Sequence, residues 1–229
     1  MELHPGKPDV TVAYKVGNNM RTVQFKPWIG PEYEKTGIEN LRILVLGESH
    51  YGDKGDEYEN FTSEVIEEWA INKRLAFFTK IAKSVLRLSK EDYLSDEHRA
   101  QFWNSVSFYN YIQEFVGDGP RQRPSYDLWE KSRQAFVETI NQMQPQVCLV
   151  FGYELWENLP SPENEINSNG YLTYVYDTGA GNKMFAGCVA HPSGGLSYSE
   201  AHPRITALIN MAKLASQPTR MIADTFDSR

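Results

Sequence analysis

The chain has 229 residues, 41% of them hydrophobic and 23% charged, with a formal net charge of -7. These values suit a globular α/β domain able to bury a full core. They disfavour a sequence-blind nucleic-acid binder that relies on overall positive charge, while leaving room for a local basic groove. The two cysteines, Cys148 and Cys188, sit inside apolar runs (VCLVFG and AGCVAHP) and read as small buried hydrophobes rather than ligands or nucleophiles. There is no CxxC spacing, no run of about 18 apolar residues and no signal-peptide core. The expected setting is therefore a reducing cytoplasm, with no membrane partner, no metal and no cofactor.

In chain order, residues 1–40 read as an extension packed on the domain. Thr11 to Val16 and Thr22 to Phe25 are candidate short strands around a turn at Gly17-Asn18-Asn19. Pro27 and Pro31 exclude a helix interior between them, so Trp28 and Ile29 belong to an extended arm, with the tryptophan pinning it to the core. Ile43 to Leu46 is an apolar run stopped by Gly47, the pattern of a buried parallel strand. Helical spacing starts at Thr62 and continues through Leu86, broken at Asn72-Lys73-Arg74. Ser89 to Arg99 reads as a charged connection and Val106 to Tyr111 as a second strand. Ser125 then stands where a helix cap belongs, before Trp129, Phe136, Ile140 and Met143 on one face.

Gln146 to Gly152 is a third buried strand, followed by a short helix from Tyr153 to Leu159. Two further strands, Tyr171 to Tyr176 and Met184 to Ala190, flank a turn. A closing helix spans roughly Glu200 to Leu214, within a domain of residues 41–216, and residues 217–229 read as a loose tail. The alternation predicts a three-layer α/β/α sandwich around a central, mainly parallel sheet.

The chemistry-bearing residues gather at strand ends. Glu48, Ser49, His50 and Tyr51 follow the first apolar strand directly, more polar groups than a turn requires. Asn110 closes the second strand, ahead of a loop carrying Arg121 and Arg123, and His191-Pro192-Ser193 follows the last strand. In a parallel sheet such ends share one edge, where ligands bind, so these three segments can converge on one crevice.

This pattern resembles the uracil-DNA glycosylase superfamily. That family carries a first motif of the form G-Q-D-P-Y-H or G-E-x-P-G at the end of its first sheet strand, an Asn from a mid-chain strand, and H-P-S before a closing helix. Here Gly47-Glu48 fits the G-E form, Tyr51 stands at the tyrosine of the longer motif, and His191-Pro192-Ser193 matches directly. The resemblance covers about Leu41 to Leu214 and rests on order and spacing as much as on letters. It implies a protein that recognises a flipped or free nucleobase and hydrolyses its N-glycosidic bond, in DNA repair or the processing of modified DNA. The implied partner is DNA or another nucleobase-containing ligand, bound by a monomer.

By the same resemblance His191 donates a hydrogen bond to the base oxygen as a neutral imidazole, Asn110 reads the base edge, and Tyr51 walls the pocket. Ser193, Gly194 and Ser197, at the start of the closing helix, would hold phosphates together with Arg121 and Arg123. The chain departs from the family where Ser49 replaces a water-activating aspartate and His50 replaces a proline. Water activation would then pass to Glu48 or be absent, and His50 would add a second acid/base.

Three other readings are open on the sequence. One is an inactive nucleotide- or nucleic-acid-binding domain of the same fold. Another is a metal-dependent hydrolase with Glu48, His50 and His191 as ligands, although no HExxH or HxH spacing is present. The third is a serine hydrolase using Ser49, which lacks the second glycine of a nucleophile elbow.

Overall fold

A computed structural model describes residues 22–119, 122–179 and 181–217. The strand expected at Thr11 to Val16, the turn after it, Arg121 and the tail from residue 218 lie outside the described residues. Seven strands among the described residues form one sheet: β1 (Trp28–Ile29), β2 (Ile43–Gly47), β3 (Ser107–Asn110), β4 (Val147–Phe151), β5 (Asn164–Ser168), β6 (Tyr171–Asp177) and β7 (Lys183–Val189). Their order across the sheet is β1-β3-β2-β4-β7-β6-β5. The four central strands, β3, β2, β4 and β7, run parallel, and β1, β6 and β5 add antiparallel flanks. The sheet is thus parallel at its centre and mixed as a whole.

The helices are α1 (Phe61–Val65), α2 (Ala76–Val85), α3 (Asp96–Ser105), α4 (Tyr126–Met143), α5 (Tyr153–Asn158) and α6 (Tyr198–Ala215), with a π-helical segment, Ile66–Asn72, directly after α1. They cover both faces of the sheet. All five residues of β2 are buried, and their alternation feeds two cores. Ile43 and Val45 pack with residues of α2, α3, α6 and the π-helical segment, while Leu44 and Leu46 pack with residues of α4 and α5. The α/β class expected from the pattern is present, and a strand buried on both faces explains why β2 and β4 read as unbroken apolar runs.

Three expectations give way. Thr22 to Phe25 forms no strand: the amides of Gln24 and Phe25 donate instead to Gln113 Oε1, at 2.9 and 3.0 Å. The charged connection ends at Ser95, whose hydroxyl accepts from His98 N and starts α3. The apolar periodicity is weak in α3 because Arg99 takes a core position, only 2% exposed. Its guanidinium donates to the carbonyls of Ala70 (2.9 Å) and Ile71 (2.7 Å) and pairs with Asp96, tying down the π-helical turn, whose bonding pattern leaves such carbonyls without helical partners. Finally, β5 and β6 form an unexpected hairpin. Asn169 and Gly170, both at positive φ (53° and 77°), make the two-residue loop that favours these residues.

The extended arm joins the sheet as β1, and Trp28 Nε1 donates to Trp103 O at 2.9 Å, so the described part of residues 1–40 supplies an edge strand. Ser125 does occupy the cap position of α4, but its side chain makes no capping bond.

Arg99→Met should lower the unfolding free energy by about 2–4 kcal/mol, because two buried carbonyls lose their donors at roughly 1–3 kcal/mol each. Urea denaturation would measure it, and a change within about 0.5 kcal/mol would show that the guanidinium is replaceable there.

Candidate functional site at the carboxyl ends of the parallel strands

The chain leaves β2, passes through α1 to α3, returns on one side as β3, then crosses to form β4 on the other side of β2. Strand order therefore reverses at β2, the kind of switch point beyond which α/β proteins hold ligands. The parallel pairing runs on past the strand ends: Tyr111 N and Ile112 N donate to Gly47 O (3.0 Å) and Glu48 O (2.9 Å), and Gly52 N to Gly117 O (2.8 Å). The loops carrying Glu48 and Asn110 are thereby zipped together.

Gly47 is set opposite Asn110 in the register. A Cβ on Gly47 would lie 2.2 Å from Asn110 Oδ1, so the glycine leaves the room in which the amide is placed. The Asn110 side chain is 6% exposed, and among the described residues its amide has no protein hydrogen bond, although its main-chain oxygen accepts from Gln113 Nε2 at 2.8 Å.

Glu48 points into the crevice on the side of α4 and α5. Arg123 Nη1 contacts both of its carboxylate oxygens, at 3.0 and 3.2 Å, while Arg123 Nη2 reaches Glu154 at 3.3 Å. The Glu48 side chain is only 14% exposed. Its burial holds the carboxyl above the ordinary carboxylate range, with Arg123 opposing and Glu154 reinforcing the shift.

His50 goes the other way. It is 5% exposed, its ring lies edge-on to Phe25 and Phe61 at 5.0 and 4.9 Å, and its Nε2 is hydrogen-bonded to Thr62 Oγ1 at 3.0 Å. Burial pushes its pKa down to about 3. This is a neutral histidine of an aromatic box, not a second acid/base. Ser49 is partly exposed and Tyr51 is 41% exposed, and neither forms a hydrogen bond among the described residues.

His191 follows β7. Its Nδ1 accepts from Ser193 N at 3.1 Å, which requires a lone pair there and leaves the proton of the neutral ring on Nε2. Nε2 itself has no partner among the described residues. Burial lowers the His191 pKa, and Arg123 and Lys80 add to the effect, so the ring is neutral at pH 7. The turn is braced by Gly194 N donating to His191 O (2.9 Å) and by Lys80 Nζ donating to Pro192 O (2.8 Å), and the ring leans on Phe77 at 5.3 Å. A Cβ on Gly152, at the end of β4, would lie 3.9 Å from the imidazole, which places His191 over the neighbouring strand end.

Glu48, Asn110, Arg123 and His191 thus belong to one edge of the sheet. Ser193 and Gly194 are exposed on the His191 turn, and Ser197 stands at the cap position of α6, its hydroxyl bonded to the Ser199 hydroxyl at 2.8 Å rather than to a helix amide. Glu48, His50 and His191 do not converge as a cation site, and no cluster of three or more such donors occurs among the described residues. Sequence reasoning passed over Glu154, although it follows Gly152 at a strand end much as Glu48 follows Gly47. It could not have found Thr62, because that partner of His50 is brought in by the fold. Both thiols are held neutral: Cys148 is fully buried, and burial raises the pKa of Cys188 to about 12.

No family model matches the chain, and no curated protein matches it. No helix among the described residues is long and apolar enough to cross a membrane.

His50 gives a pH test of its core role. The folded state keeps the ring neutral while the unfolded chain takes up a proton below about 6.5, so its contribution is complete above that pH and lost as pH falls toward 3. The loss is on the order of 5 kcal/mol. The unfolding free energy of His50→Gln should vary less with pH across this window than that of the unaltered protein, as read by urea denaturation at several pH values.

Proposed function

We propose that the crevice binds a nucleobase and that the protein is a divergent member of the uracil-DNA glycosylase-like group, hydrolysing an N-glycosidic bond. The observation that carries this reading is His191. A neutral imidazole whose Nδ1 is occupied by Ser193 N–H presents a fixed Nε2–H donor at a strand end. Departure of a base places negative charge on its carbonyl oxygen, and a preorganised donor facing that oxygen stabilises the transition state.

The remaining groups fit the other needs of that reaction. Asn110 offers an amide donor and acceptor for a base edge, on a largely buried residue and without hydrogen bonds among the described residues. Glu48 is the one carboxylate of the Glu48 to Tyr51 segment, and with Ser49 beside it, it alone there can activate water or face a sugar cation. Arg123 holds Glu48 in place and can meet a phosphate with the donors it leaves free. The second reading, a base-binding domain without catalysis, draws on the same contact: both oxygens of the Glu48 carboxylate are engaged by Arg123 and so less free to take up a water.

A panel of DNA substrates containing uracil and other deaminated or modified bases should release free base. His191→Ala should reduce the rate about 10²–10³-fold, and Glu48→Gln about 10²–10⁴-fold. Retained binding of base-containing DNA with no release from any substrate would establish the binding reading instead.

The pH dependence has a fixed sign. The reaction needs neutral His191 and ionised Glu48, so the rate should be level near neutrality and fall on the acid side as either group is protonated. Arg123 lowers the pKa of both groups, and Arg123→Gln should therefore move the acid limb to higher pH. A limb that stays put or moves down in that variant would remove these two groups from the rate law.

A further inference from the structure

Behind the His191 turn lies a cavity of about 340 Å³ to which Glu48, Asn110 and His191 do not contribute. Its walls include Tyr153 and Trp156 of α5, Tyr171 at the start of β6, Leu196 and Ser197 before α6, and Arg204 of α6. Its volume lies at the small end of the range for ligand pockets, and its mixture of aromatic walls with a few fixed polar groups is typical of them.

Arg204 is the unusual member. It is 4% exposed, so more than nine-tenths of it is buried. It donates to Thr173 Oγ1 at 3.0 Å and to Leu172 O, and its guanidinium lies 5.2 Å from the ring centre of Tyr171. Two of its five N–H groups are accounted for by these bonds. No carboxylate pairs with it among the described residues, and the ionisable groups close enough to support its charge are a thiol, Cys188, and a phenol, Tyr171. A buried cation without a counter-charge is strongly penalised, and an arriving anion relieves that penalty. Ser197, Glu200 and Ala201 at the start of α6 line the same space, and the Ser197 hydroxyl makes no bond to a helix amide, so the first turn adds partial positive charge near the cavity.

Two features narrow the ligand. Trp156 is stacked on Tyr174 with ring centres 4.0 Å apart and planes 18° apart, which presents a rigid aromatic wall suited to another ring. Glu200 also lines the cavity and is exposed. Its carboxylate disfavours a multiply charged anion, while the buried guanidinium favours a single one.

We propose that this cavity is a second binding site, separate from the crevice, for a small aromatic monocarboxylate whose carboxylate pairs with Arg204 and whose ring lies against Trp156 and Tyr153. The proposal is independent of the glycosylase reading. Full-chain protein would be titrated with benzoate and indole-3-acetate, with their uncharged amides, and with inorganic phosphate, following the change in tryptophan fluorescence and the thermal midpoint. Both carboxylates should bind saturably below roughly 10 mM, with the amides and phosphate about tenfold or more weaker.

Arg204→Lys keeps a charge but not the fork and should weaken carboxylate binding about tenfold. Tyr153→Ala removes a ring that is 63% exposed and therefore preserves the fold. It should weaken carboxylate binding severalfold. Absence of saturable binding by both carboxylates overturns the proposal. So does equal binding of the amides or of phosphate, or an unchanged affinity in Tyr153→Ala.

Discussion

The site depends on one steric constraint, the absence of a side chain at Gly47. β2 is buried on both faces and can end only where the chain finds room to turn, and the space above its last residue is filled by the Asn110 amide. Any Cβ there would strike Asn110 Oδ1, so the amide would have to leave its present place, with the Phe108 ring at 3.1 Å limiting the room. With glycine in place the two loops continue the parallel hydrogen bonding of the sheet. That pairing fixes Glu48 relative to Asn110 without a contact between their side chains. On the other side of β2, Gly152 ends β4 at a φ of 134°, where glycine is favoured by its backbone angle, and the His191 ring lies over that strand end.

Much of this frame was legible in the sequence because it follows from burial. β2 and β4 have helices on both faces, so every position is apolar and the runs stand out. α3 was missed for the opposite reason. Its buried face includes an arginine whose charge is absorbed by two carbonyls from the preceding π-helical turn, and a hydrophobic pattern registers such a residue as exposed. The β5–β6 hairpin announced itself through Asn169-Gly170, but the strand before it carries Asn, Glu and Ser, and its polar composition hid it. The segment at Thr22 to Phe25 has strand-like residues, yet its amides are taken by the Gln113 side chain, a partner nearly ninety positions away in the chain.

The site was legible in outline and not in detail. Strand-end clustering pointed to Glu48, Asn110 and His191, and all three occupy the same sheet edge. The same clustering pointed equally to His50, which is a core residue. The difference lies in partners that no local window contains. Thr62, Phe25 and Phe61 close around His50, whereas Glu48 meets Arg123 from the loop after β3, and Arg123 in turn meets Glu154 at the start of α5. A polar residue at a strand end is thus an indicator of position, and only its environment decides between a reactive group and a packed one.

Glu48 and His50 are two residues apart and reach opposite sides of the same turn, which divides their roles by environment rather than by chemistry. On the His50 side three phenylalanine rings exclude water and one hydroxyl satisfies the imidazole, so that ring is held neutral well below physiological pH. On the Glu48 side the carboxylate is partly desolvated but has a guanidinium on one hand and a second carboxylate beyond it. Those opposing influences leave a group that is easier to protonate than an ordinary glutamate. His191, across the crevice, is shifted in the complementary direction, toward staying neutral. Arg123 is the shared term, since it acts on both. An ionised carboxylate and a neutral imidazole are the protonation states that the proposed hydrolysis requires; burial favours the second and opposes the first, and Arg123 favours both.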